Sequence, residues 1–328
     1  MRIWALVDTR PGNVSQVLGV AEALGLPFEP KPITYGSWAK LPNMLLGASN
    51  RGLTSEAKSE LLPPWRDRGS GAGRRAAPVM RWLKSRTHGK TYTVQLMWPD
   101  VAQDLDLIVV PDHDVERRAK DLLRVTGSPH RVSAERIAAG LADLPDAMKA
   151  IPEPRIAVLI GGTSRTAAFT PSDAALLGLQ VQRLSEDFGS GGIVATSSRR
   201  TGPVCEDSFA EAVRAPLYLH RFGTPGANPY PSMLGLADAI VVSADSASML
   251  TEACVTGKPV YLFTPSAGRN RKLERLHNVL EGGNHVKPID QRFTAPPVPL
   301  PNPAHAVAAA IRERLSLPEA AALEPAFA

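Results

Sequence analysis

The chain has 328 residues, 44% of them hydrophobic and 21% charged, with 30 prolines and 26 glycines. That composition excludes a disordered or collagen-like polypeptide, and the length suits two domains of about 150 residues each. A formal net charge of +5 favours anionic partners such as nucleotides or phospholipid head groups, but it is too small an excess to argue for nucleic acid.

No apolar run approaches the roughly 18 to 20 residues of a membrane span, and MRIWALVD opens the chain without a cleavage site, so a cytoplasmic location is expected. Cys205 and Cys254 lack metal-ligand spacing and the seven histidines are scattered, so no metal is expected.

Arg2 to Asp8 reads as a strand, Thr9 to Asn13 as a turn, and Val14 to Leu24 as a helix stopped by Gly25. The loop offers Asp8, Arg10, Gly12, Asn13 and Gln16 as an acceptor-side contact; the plainer alternative is a tight turn with Asn13 as helix cap. Phe28 to Ile33 is a second strand, and Trp38 to Leu46 and Ser55 to Leu62 are helix-capable.

The rhythm then asks for a buried strand where the chain supplies Arg66, Asp67, Arg68, Gly69 and Ser70, so that strand is expected to be weak or missing. Without it, the G-x-G-x-x-A spacing of Gly71, Gly73 and Ala76 is a poor dinucleotide fingerprint. Thr91 to Met97 and Leu105 to Val110 are strands, the second ending in Pro111-Asp112-His113-Asp114. A histidine beside carboxylates at a strand end can serve as a general base, which makes His113 and Asp114 the catalytic candidates; a helix cap by Asp114 is the structural alternative.

Leu122 to Val125 enters the turn Thr126 to Arg131, and Ala150 to Arg155 is the best linker, which sets the expected domains at 1–150 and 151–303, with a returning helix and tail over 304–328. Ile156 to Ile160 is a continuous apolar strand followed by Gly161, Gly162, Thr163, Ser164 and Arg165, a turn suited to phosphate. Arg221 to Tyr230, containing Asn228, is a Gly/Pro loop long enough to enclose a flat base.

The most organised stretch is Leu236 to Ser266. A β-branched run ends at Ser243, a polar loop holds Asp245, Ser246 and Ser248, and Met249, Leu250, Ala253 and Cys254 recur at helical spacing before Gly257. This is a βαβ unit whose loop sits at the carboxyl end of the first strand, where open parallel sheets bind ligands. The helix N-terminus favours a phosphate, and Glu252 one turn further in suits a sugar diol, although caps are common enough that the plain structural reading has about even weight.

VTGSPHR before the linker, LIGGTS after it and ADAIVVSADSASMLTEACVTGKPV near the end together resemble the two-domain GT-B glycosyltransferases, in particular the lipid-linked N-acetylglucosaminyltransferase of peptidoglycan synthesis. DTRPGNVSQ, GAGRRAAPV, VTGSPHR and SADSASMLTEA are similar, over nearly the whole chain, to a family named for a plant mitochondrial-fission factor, the Elm-type family. The resemblance implies two doubly wound Rossmann-type α/β domains facing a cleft, with a C-terminal helix crossing back to the first domain.

It further implies a nucleotide-diphosphate sugar as substrate, with no added cofactor, at Gly161 to Ser164 and Glu252, to which the reading of the loops adds Arg165, Asn228, Ser243, Asp245, Ser246 and Ser248. A lipid-linked or envelope glycan acceptor would bring the protein to the membrane surface. Three functions stay open at this point: glycosyl transfer, epimerase or hydrolase chemistry on a sugar nucleotide, and a non-catalytic adaptor role.

Overall fold

The computed structural model describes residues 3–65, 67–114, 119–164, 167–266 and 270–318. The chain divides into two compact units: residues up to Arg131 join with the segment from Asn302, and Val132–Pro301 forms the other. The crossing point lies after Arg131 and not near 150, because Ile137, Met148 and Ile151 are buried in the same core as Val242 and Leu250 of the second unit.

The first unit contains β1 (Ile3–Val7), α1 (Pro11–Ala23), β2 (Phe28–Pro32), α2 (Asn43–Leu46), α3 (Ser55–Ser59), β3 (Arg68–Ala72), α4 (Ala77–Arg86), β4 (Tyr92–Leu96), β5 (Leu107–Pro111) and β6 (Leu122–Val125). The second contains α5 (Ala134–Ala142), α6 (Asp146–Lys149), β7 (Arg155–Ile160), α7 (Pro171–Asp187), β8 (Gly192–Ser197), α8 (Pro203–Ala212), β9 (Leu217–His220), α9 (Tyr230–Leu236), β10 (Ala239–Ser243), α10 (Ala247–Cys254), β11 (Val260–Phe263), α11 (Arg271–Gly282) and β12 (Lys287–Pro288). The last helix, α12 (Pro303–Arg314), belongs to the first unit, where Ala304, Val307 and Ile311 share a core with Val17 and Val20 of α1 and with Leu24 just after it.

Each unit is built on a six-stranded sheet, ordered β2-β1-β3-β4-β5-β6 in the first and β12-β11-β10-β7-β8-β9 in the second. All pairings are parallel. Strands buried on both faces must be apolar throughout, which is why Ile156 to Ile160 and Ala239 to Val242 are uninterrupted hydrophobic runs at zero exposure. In each sheet the strand order reverses at one place, between β1 and β3 in the first unit and between β7 and β10 in the second, and the crevice for a ligand opens at the carboxyl ends there.

The strand expected to be weak or missing is present. Arg68–Ala72 is fully buried between β1 and β4. Its glycines report close packing: a Cβ on Gly69 would lie 3.3 Å from Met80 Cε, and one on Gly71 would lie 3.0 Å from Ala76 Cβ. Small residues let α4 approach the sheet: Gly71 lies within β3, and Gly73 and Ala76 lead from it into α4. Helix α1 also starts a turn earlier than its apolar spacing suggests, because Pro11 occupies a first-turn position where its missing N–H costs nothing.

Candidate functional site

At the second unit's switch point, the loop after β7 meets the loop after β10. Ser243 Oγ accepts the Gly161 N–H at 2.6 Å and donates to Asp245 Oδ1 at 2.7 Å, while Asp245 Oδ2 accepts the Gly162 N–H at 2.9 Å. The Thr163 N–H goes to the Arg200 carbonyl at 3.2 Å and the Ser164 N–H to the Ala167 carbonyl at 2.8 Å. Every backbone donor from Gly161 to Ser164 therefore has a partner within the protein, and the anion in this turn is the carboxylate of Asp245.

Arg200 completes the arrangement. Its guanidinium pairs with Asp245 Oδ2 at 2.6 Å and donates to the Gly162 carbonyl at 3.1 Å. The two glycines are required by this closeness: a Cβ on Gly161 would lie 2.1 Å from Asp245 Oδ1, and one on Gly162 would lie 2.1 Å from the Arg200 carbonyl oxygen.

Beside this brace, Ser246 caps α10 by accepting the Met249 N–H at 3.4 Å, and Ala247 and Ser248 fill the first two helical positions, whose N–H groups have no acceptor inside the helix. One turn on, Glu252 is 9% exposed and its Oε2 accepts the Tyr230 hydroxyl at 2.7 Å. Burial first, and then the neighbouring Glu252 charge, raises the Tyr230 pKa far above its ordinary value, so the phenol stays a donor. Asn228, in the exposed loop before α9, accepts the Tyr230 N–H at 3.1 Å. The structure thus brings Gly161, Gly162, Ser243 and Asp245 together and seats Ser246, Ser248 and Glu252 on the adjoining helix. Arg165 lies outside the described residues.

The first unit's switch point holds a cavity of about 120 Å³ lined by Asp8, Arg10, Asn13, Gly73, Arg74 and Arg75. Asp8 accepts the Arg10 N–H at 2.9 Å and the Asn13 amide at 2.8 Å. Asn13 is therefore a loop brace within the first turn of α1, in place of the cap expected of it. Gly12 sits in that first turn, and Gln16 is buried with its amide 3.8 Å from Met97 Sδ, away from the cavity lining.

His113 follows β5, but Asp112, expected to help orient it, accepts the Thr126 hydroxyl at 2.7 Å instead. The Asp114 N–H turns back to the Pro111 carbonyl at 2.9 Å. The Thr126 to Arg131 stretch is structural in this unit: Arg131 Nε donates to Glu22 at 2.9 Å, and a Cβ on Gly19 of α1 would lie 2.4 Å from the His130 carbonyl oxygen. Among the described residues no three His, Cys, Asp or Glu side chains gather in a way that would hold a metal ion.

Sequence reasoning missed Arg200, Tyr230, Arg74 and Arg75. The available signal was position, since Arg200 and Arg74 each follow closely on the carboxyl end of a sheet strand, where ligand-facing loops begin.

The paired parallel sheets with helices around them and the reversal crevices define a GT-B-like fold. The structure is similar to the putative UDP-N-acetylglucosamine 2-epimerase of Listeria monocytogenes, with a TM-score of 0.55 at 11% identity, covering 96% of each chain. It is also similar to the UDP-GlcNAc 2-epimerase of Neisseria meningitidis bound to UDP-GlcNAc, with a TM-score of 0.51 at 12% identity, covering 96% of this chain and 100% of that one. At such identities the likeness is one of fold.

The model of the mitochondrial fission ELM1 family matches residues 11–315, and the chain belongs to that family. It is 27% identical to the uncharacterized protein RP120 of Rickettsia prowazekii over an aligned length of 305, with 81% of this chain and 84% of that one covered. It is 25% identical to the mitochondrial fission protein ELM1 of Arabidopsis thaliana over an aligned length of 215, with 58% of this chain covered, and the match spans about half (49%) of the plant protein's length.

Proposed function

We propose that the chain is a GT-B-type glycosyltransferase that takes a nucleotide-diphosphate sugar at the second unit's switch point and passes the sugar to an acceptor of the cell envelope, without a metal or other cofactor. The observation that carries this reading is the placement of the Ser246 to Ser248 helix start and the Glu252–Tyr230 pair beside the braced loops at the carboxyl ends of β7 and β10.

The roles differ by residue. The diphosphate would take the free N–H groups and the Ser248 hydroxyl at the start of α10, where the helix dipole favours negative charge and stabilises a departing diphosphate. Glu252, held by Tyr230, would accept hydrogen bonds from the ribose diol. Asp245, Gly161 and Gly162 shape the site, since their donors and acceptors are engaged with one another. His113 remains the candidate base for the acceptor hydroxyl; its replacement by Ala tests that role through turnover with nucleotide binding intact.

A membrane-borne acceptor fits one exposed stretch of the first unit. Trp38, Met44 and Leu45 are 57%, 78% and 67% exposed, and Trp38 shares a surface hollow with Arg51 and Lys58. Among the described residues no helix is long and apolar enough to cross a membrane, so this contact would be peripheral.

Titration calorimetry of uridine, cytidine, guanosine and thymidine diphosphates into wild-type and Glu252→Ala protein tests the reading. Micromolar binding of one nucleotide, weakened in the variant, is the expected result. Solvent deuterium in the recovered sugar nucleotide would instead point to epimerase chemistry at the same site, and absence of all nucleotide binding would favour the adaptor role.

A further inference from the structure

The first unit carries an arrangement that the donor site does not use. Its sheet order reverses between β1 and β3, so the loops leaving these neighbouring strands part and leave a crevice. Into that crevice project Arg10 from the loop after β1 and Arg74 and Arg75 from the turn after β3, against a single carboxylate, Asp8.

These charges are not consumed equally. Arg74 is structural: it donates to the Leu41 carbonyl at 2.8 Å, Asn43 Oδ1 at 3.1 Å and the Ala39 carbonyl at 3.2 Å, and its Nε lies 3.6 Å from Asp100. Asp8 is spent on the Arg10 backbone N–H and the Asn13 amide. By contrast, the guanidinium groups of Arg10 and Arg75 have no ion pair among the described residues; Arg75 instead stacks over the Tyr35 ring at 5.7 Å.

Tyr35 backs Arg75 from outside the cavity lining. Its hydroxyl is buried without a hydrogen-bond partner. Burial foremost raises its pKa, Asp8 adds to that, and Arg75 and Arg10 oppose it. Two guanidinium groups without counter-ions on the wall of one cavity are a set of donors lacking an oxyanion. Gly73, at a φ of +78°, brings the β3 turn against Asn13, where a Cβ would lie 3.2 Å from the amide nitrogen and narrow the cavity.

We propose that this first-unit cavity binds a phosphate or diphosphate group, with Arg10 and Arg75 as its charged ligands. The planar guanidinium fork matches phosphate oxygens in geometry as well as charge. The proposal deepens the acceptor half of the function above, since it makes the acceptor a phosphate-bearing molecule, but it does not depend on which nucleotide the second unit takes.

The experiment is calorimetric titration of inorganic pyrophosphate and of farnesyl diphosphate into wild-type, Arg10→Gln and Arg75→Gln protein, with the best nucleoside diphosphate titrated in parallel. Arg10 is exposed, so Arg10→Gln keeps the test valid should Arg75→Gln melt early. Loss of about ten-fold or more in pyrophosphate affinity in both arginine variants, with nucleotide binding unchanged, is the expected result.

Tighter binding of farnesyl diphosphate than pyrophosphate would identify a lipid-borne phosphate, and equal binding a soluble one; either supports the site. Pyrophosphate binding without any nucleotide binding would sustain this site while removing the donor reading. No pyrophosphate binding to the wild type, or binding indifferent to both arginine variants, would overturn the proposal.

Discussion

The Asp245 carboxylate accepts the Gly162 N–H at 2.9 Å, across 83 residues of sequence, and so occupies the turn that sequence reasoning reserved for a phosphate. Asp245 is a brace between two ligand-facing loops, with Arg200 as its counter-ion at 2.6 Å. Removing one partner of such a pair leaves the other charge uncompensated. Asp245→Ala is expected to destabilise the protein by about 2 to 4 kcal/mol and Gly162→Ala by a comparable amount, read from urea unfolding. A change below about 0.5 kcal/mol in both would show that the brace does not hold the loops.

The Tyr230 hydroxyl holds Glu252 Oε2 at 2.7 Å, so in the proposed donor site it would act on a nucleotide through that carboxylate. Tyr230→Phe is expected to cost about 1 kcal/mol of stability and to weaken nucleotide binding several-fold, less than Glu252→Ala does. Equal losses in the two variants would mean that the phenol itself meets the nucleotide.

Acid should destabilise the first unit through His130. Burial, and secondarily the charge of His305, holds the His130 imidazole down at about 3, against roughly 6.5 in an unfolded chain. Between these values the unfolded state binds the extra proton, so stability is full above about pH 6.5 and falls as pH drops towards 3, at up to about 1.4 kcal/mol per pH unit. His220, also pushed down by burial, adds a slope of the same sign. His130→Leu should flatten the Tm profile between pH 5 and 7, and an unchanged profile would contradict the assignment.

Lys258 closes the carboxyl end of α9, donating to the carbonyls of Leu234, Gly235 and Ala237 at 2.9, 2.6 and 2.6 Å. Lys258→Met keeps the aliphatic stem but removes the donors. A loss of roughly 1.5 to 3 kcal/mol in chemical unfolding is expected, and a neutral result would mean that water satisfies those carbonyls equally well.

Much of the second unit was legible because its periodicities are clean. Ala239 to Ser243 is a β-branched strand run and Met249 to Cys254 keeps helical spacing, and both lie where expected. Strand β3 was not legible, because Gly69 and Gly71 are set by the approach of Met80 and Ala76, a tertiary demand that overrides strand propensity. The proline-rich Ala150 to Arg155 stretch looked like a linker, yet the cores place the crossing after Arg131, since a boundary depends on which sheet buries Ile137 and Met148. Of the candidate site, the strand-end loops could be read off directly. Which carboxylate fills which turn could not, because contacts such as Asp245 to Gly162 and Glu252 to Tyr230 exist only once separate loops meet.

The most direct test of the central claim is titration of a nucleoside diphosphate panel into wild-type and Glu252→Ala protein by calorimetry. Binding of one nucleotide with a micromolar Kd, weakened at least about ten-fold by the substitution, is the predicted result. Absence of binding across the panel, or binding indifferent to Glu252, would contradict a donor site at the carboxyl ends of β7 and β10.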